Sequence, residues 1–237
     1  MERRTMHHRL FGVVLLTVLI PPTLLAISAA GNIPDPADRS MQEFLKQDDT
    51  QHPYRAVRRL EAENGSRRGW LEAVTSYSAE SGFTYQITAE GGSSLVRSKV
   101  LRAVLEGEQE IIAQGETSRS SLDVTNYAFQ PNGVDDEGLA NILLSPKRKE
   151  RILVAGTMFL RPDDGDLVRL QGRLAKSPSF WVKNVDIVRS YKRIQGVVVP
   201  IALESTAHVR LLGAATLRMT YAYSEIDGQR VSVTAQH

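Results

Sequence analysis

VPIALESTAHVRLLGAATLRMTYAYSEIDGQRVSV, residues 199–233, decides the fold of this chain. Val199, Ile201, Leu203, Ser205, Ala207, Val209 and Leu211 alternate with Pro200, Ala202, Glu204, Thr206, His208 and Arg210. A period of two sends successive side chains to opposite faces, so this strand has one apolar and one wet face. Gly213 turns the chain into Ala215, Leu217, Met219, Tyr221 and Tyr223, and Asp227-Gly228 turns it again into Val231 and Val233. Upstream, residues 185–194 reach the same strand through Gln195-Gly196, and residues 151–160 and 167–174 flank the turn Pro162-Asp163-Asp164-Gly165-Asp166. Asp and Gly supply the backbone conformations that hairpin turns require. Six consecutive antiparallel strands with one apolar face form a meander, and such a face has to be covered.

Helices supply the cover. Ser93 or Ser94 caps a helix whose face of Leu101, Val104, Leu105 and Ile112 is interrupted by a single Glu108, and residues 139–144 read as a short apolar helix stopped by Pro146. Residues 40–46 form a short helix with Met41, Phe44 and Leu45 at helical spacing. Pro53 opens a surface helix ending at Asn64-Gly65, with a narrow stripe of Ala56, Val57 and Leu60 among Arg55, Arg58, Arg59 and Glu61. Residues 70–89 read as a hairpin, 123–130 as a strand and 135–138 as an acidic loop. Strands of ten or more residues exceed the usual five or six. The expected fold is therefore α+β, a strongly curved antiparallel sheet or unclosed β-barrel with helices covering its apolar face.

The N-terminus carries an export signal. Arg3, Arg4 and Arg9 precede an uncharged stretch from Leu10 to Ala30 that closes on Ser28, Ala29 and Ala30. Basic head, apolar middle and small-residue cleavage site are the order of a signal peptide, with cleavage expected before Gly31. The alternative is an uncleaved anchor, since the 21 uncharged residues match the roughly 20 that cross a bilayer. Residues 31–39, with Pro34 and Pro36, read as a flexible leader, and 40–237 as a single domain. Removing residues 1–30 takes three arginines and one glutamate from totals of 29 basic and 27 acidic side chains, which leaves 26 of each. A neutral mature chain gives no footprint for nucleic acid.

There is no cysteine, so disulfides, thiolate chemistry and an acylated cysteine anchor are excluded. The three histidines of the mature chain, His52, His208 and His237, lie far apart in unlike contexts, and no metal or cofactor is expected. Asp163, Asp164 and Asp166 lack the spacing and closing Glu of an EF-hand and suit a turn. No serine sits in a Gly-x-Ser-x-Gly elbow, and neither a Walker loop nor a dinucleotide fingerprint occurs. The chain is read as a non-enzyme. Its apolar face fits either a dry core or a cavity for an acyl chain, which composition alone does not separate.

Residues 172–200, GRLAKSPSFWVKNVDIVRSYKRIQGVVVP, followed by IALES and by LRMTYAYSEIDGQRV at 217–231, resemble the LolA/LolB-like superfamily of outer-membrane lipoprotein-sorting proteins. A basic-aromatic strand, Ile187-Val188-Arg189-Ser190-Tyr191, turns through Gly196 into Val-Pro and continues as a long alternating strand. The resemblance spans about residues 150–233, and in it this chain is a divergent member. It implies an unclosed barrel with a helical lid, acting in the periplasm as a carrier of lipid or lipoprotein acyl chains. The expected partners are those acyl chains and, further, envelope membrane proteins, with no nucleic acid. The expected lining is Leu170, Leu174, Val199, Ile201, Leu203, Leu217, Met219 and Tyr221 from the strands, with Leu101 and Leu105 from the lid helix and Trp181 at the rim. The alternative is an envelope scaffold that binds protein partners with the same fold.

Overall fold

The computed structural model describes residues 35–47, 50–178, 182–209 and 213–232. The expected signal peptide, Trp181 and Val233 lie outside these residues. A first helix, α1 (Pro36–Lys46), precedes three strands, β1 (Tyr54–Asn64), β2 (Arg67–Ser78) and β3 (Gly82–Gly92). The helix α2 (residues 94–113) follows, with a π-helical stretch at Arg97–Leu101. A 3-10 turn at Thr117–Arg119 leads into β4 (Tyr127–Val134), β5 (Ala140–Pro146), β6 (Val154–Leu160) and β7 (Leu167–Leu174). The long strands β8 (Val182–Ile194), β9 (Val197–Val209) and β10 (Gly213–Ile226) then run to the short β11 (Gln229–Arg230).

All eleven strands join one antiparallel sheet in the order β3-β2-β1-β10-β9-β8-β7-β6-β5-β4, with β11 appended to β10. The sheet does not close, because β3 and β4 are its two edges. It consists of two meanders, β1 to β3 and β4 to β10, fused where β1 pairs with β10 from Tyr54↔Ile226 to Asn64↔Ala215. The segment carrying α2 links one edge strand to the other. The hairpin β8–β9 turns on Gln195 and Gly196, and β10–β11 on Asp227 and Gly228, all four with positive φ between 49° and 83°. This left-handed pair matches strand twist in a two-residue hairpin.

Two expected helices are strands. Residues 54–64 form β1, in which Ala56, Arg58, Leu60 and Ala62 are buried while Arg55, Val57, Arg59, Glu61 and Glu63 are exposed. The helical stripe was a coincidence of Ala56, Val57 and Leu60. The true period of two was masked by a charged residue, Arg58, on the buried face. Residues 140–146 form β5, with Ala140, Ile142 and Leu144 buried; a run this short has no period that distinguishes the two. The first helix begins four residues earlier than expected, because Pro36 occupies its first turn, where a missing N–H costs nothing, and the Asp35 carboxylate accepts the Ala37 N–H at 3.0 Å.

The helices cover the two ends of the inner face. Under α1, Ala37 and Met41 join Tyr127, Ile142, Leu153, Met158, Leu160 and Leu170. Under α2, Leu101 and Leu105 are fully buried on Leu60, Leu71, Ala73, Phe83 and Met219. Burying a leucine is worth about 1.5–3 kcal/mol, which is why both helices bind by their apolar stripes.

Candidate ligand-binding face

Strand register assembles the inner face row by row. Leu170 of β7 lies opposite Arg189 of β8, Arg189 opposite Leu203 of β9, and Leu203 opposite Met219 of β10. Met219 then faces Leu60 and Tyr221 faces Arg58, both on β1. Between the parts roofed by α1 and α2, this face stays partly open: Leu174, Ile201, Leu203, Ala207, Leu217 and Tyr221 are only half-buried.

The expected lining residues fall into neighbouring clusters. Leu101, Leu105 and Met219 are buried together beneath α2, with Leu203, Leu217 and Tyr221 at their margin. Val199 and Ile201 pack with Ala56, Ile194, Tyr223 and Ile226. Leu174 lies against Val154, Val185 and Ile187 and shares Leu203 as a neighbour, while Leu170 belongs to the core under α1. Trp181 lies outside the described residues.

Six polar residues at this face, Arg58, Glu108, Tyr54, Tyr223, Arg189 and Tyr191, were not among the expected lining. Arg58 is 2% exposed. Its guanidinium donates to both carboxylate oxygens of Glu108 on α2, at 2.5 and 2.9 Å, and to the Tyr54 hydroxyl. It also stacks over the rings of Tyr221 (4.6 Å), Phe83 (5.0 Å) and Tyr54 (5.7 Å). Burial opposes its charge, but the Glu108 hydrogen bonds and the neighbouring Tyr221 and Tyr54 outweigh that opposition and raise its pKa. Burial likewise raises the pKa of Tyr54, Tyr221 and Tyr223, keeping all three hydroxyls protonated. The Tyr223 hydroxyl donates to the Pro200 carbonyl at 2.9 Å. Arg189 is hydrogen-bonded to Tyr191, which holds its guanidinium charged against burial. The signals for these residues were present: Glu108 interrupts an otherwise apolar helix face, and alternation from Ile187 puts Arg189 and Tyr191 on the inner side.

Further contacts hold α2 down. Glu90 of β3 receives Arg97 at 2.5 Å and Arg102 at 2.7 Å, and Gln109 donates to the Phe83 carbonyl at 3.2 Å. Elsewhere, Asp164 and Asp166 between β6 and β7 make structural contacts. Asp164 accepts the Asp166 N–H at 3.0 Å, and the buried Asp166 carboxylate receives the Arg193 guanidinium. His208 lies on the outer face, 3.5 Å from Asp186. An open groove of about 410 Å³ also involves the outer face, where Gln171, Arg173, Asp186, Glu204 and Thr206 give it a polar lining.

These features define an open antiparallel half-barrel with a helix over each end and a partly uncovered apolar middle, in agreement with the architecture that the LolA/LolB-like resemblance implies. No protein-family model and no curated protein matches the chain. Among solved structures, it is similar to a LolA superfamily protein from Nitrosomonas europaea, with 9% identity over 85% of this chain and 97% of that one and a TM-score of 0.39. It is also similar to a DUF1329 family protein from Desulfovibrio piger, with 10% identity over 79% and 88% and a TM-score of 0.37.

Proposed function

We propose that this chain is an exported, non-catalytic carrier that shelters the acyl chains of a lipid or lipoprotein in the periplasm, in outer-membrane lipoprotein sorting or lipid transport. Residues 1–30 serve as its export signal and residues 40–237 as one carrier domain. The observation that carries this reading is the uncovered apolar strip: half-buried Leu174, Ile201, Leu203 and Leu217 continue directly into Met219, Leu101 and Leu105 beneath α2. Each CH₂ removed from water is worth about 0.8 kcal/mol, so an acyl chain laid along the strip gains by entering between sheet and helix. The covering helix is also held by polar contacts from Glu90, Arg58 and Phe83. No helix among the described residues is long and apolar enough to cross a membrane. Native mass spectrometry and lipid extraction of the purified protein test the reading. Co-purifying lipid, or saturable uptake of an acyl probe, is expected; a lipid-free protein that takes up no probe overturns it.

A further inference from the structure

Two arginines of the inner face share one neighbouring carboxylate. Arg58 and Arg189 both extend from its strands, and Glu108, the carboxylate that acts on both, spends its two oxygens on Arg58. Arg189 is joined to Tyr191, and its Nε is sealed from solvent without a hydrogen-bond partner among the described residues. Its register neighbours are apolar, Leu170 on one side and Leu203 on the other. Taking even part of a guanidinium out of water among leucines is costly unless an opposite charge accompanies it. Among the described residues no carboxylate is paired with Arg189, which stands half-buried beside Leu203 of the uncovered apolar strip.

We infer that Arg189, with Tyr191, seats a singly charged oxyanion, the carboxylate or phosphodiester head of an amphiphile whose acyl chain lies along Leu203 and Leu217. The planar guanidinium fork matches the two oxygens of such a group. The inference rests on the carrier reading and adds to it a sign and an orientation, head towards Arg189 and tail towards α2. A neutral chain of the same length satisfies the apolar strip but leaves Arg189 unpaired.

Titration calorimetry with dodecanoate, dodecan-1-ol and inorganic phosphate, well above the carboxylate pKa, tests it. Charge-assisted hydrogen bonds predict that dodecanoate binds at least about ten-fold more tightly than the alcohol. Arg189→Gln is expected to abolish that preference, and Arg189→Lys to restore part of it. Should Arg189→Gln fail to fold, the comparison of acid with alcohol in the unaltered protein and in Arg189→Lys decides. Equal binding of acid and alcohol overturns the inference and leaves the carrier reading intact. Failure of both chains to bind overturns both. Inorganic phosphate binding as tightly as dodecanoate marks a site for soluble anions and overturns the amphiphile.

Discussion

At the scale of single residues, the inner face is governed by a buried cation and the groups arranged around it. Arg58 is almost fully enclosed, whereas Glu108 keeps about 30% of its side chain exposed, so the two halves of the pair are not equivalent. Glu108→Ala strands a charge with no route to water and is expected to cost about 3–5 kcal/mol, read as a lower midpoint in urea. The double replacement Arg58→Met with Glu108→Leu removes both charges and is expected to recover most of that loss. The tyrosines make a second expectation. Tyr54, Tyr221 and Tyr223 hold their protons more tightly when folded, whereas an unfolded tyrosine releases its proton near pH 10. Their contribution is therefore fully present below about pH 10 and is lost as pH rises above it. Stability followed by circular dichroism should fall across that range, with phenolate absorbance appearing together with unfolding. Arg58 and Glu108 were not legible as a pair in the sequence for a physical reason. A charged residue on a strand's buried face looks like a surface residue until its partner is known, and that partner lies on another element.

Among the elements, α2 has the sharpest energetic signature. Leu101 and Leu105 are its two fully buried anchors, and Leu105→Ala is expected to cost about 2–5 kcal/mol in chemical denaturation. The long strands were legible because a wet outer face and an apolar inner face make the period of two explicit, as in β9 and in the hairpin turns at Gly196 and Gly228. The elements that were misread share a different cause. In β1, Arg58 broke the apolar alternation and Pro53 imitated a helix start. In β5, Leu143 and Leu144 put apolar side chains on both faces, which erases the period. The cover over β4 to β6 is consequently α1 rather than a helix at residues 139–144, and Gly165 in the β6–β7 turn comes close to its backbone: a Cβ there would stand 2.7 Å from the Phe44 nitrogen. The lining residues were legible as a set sharing one face; their division between roofed and open positions was not, because it depends on where the helices end.

In the whole molecule, the ladder between β1 and β10 is the seam on which the architecture depends. It joins strands from opposite ends of the domain along eleven residue pairs. Deleting residues 213–237 removes β10 and with it the only bridge in the sheet between the two meanders among the described residues. The truncated chain is expected to lose cooperative unfolding, seen as a broad thermal transition in place of a single sharp one. The same seam sets an order of arrival. A chain made N-terminus first delivers β1, β2 and β3 long before the strand that completes them, and loop closure over such a separation is slow. During that wait β1 is a bare sheet edge, a template for joining other chains. Its outward positions carry Arg55, Arg59, Glu61 and Glu63, so the waiting edge is charged along one side, and the last long strand to arrive takes the place that a foreign strand would otherwise occupy.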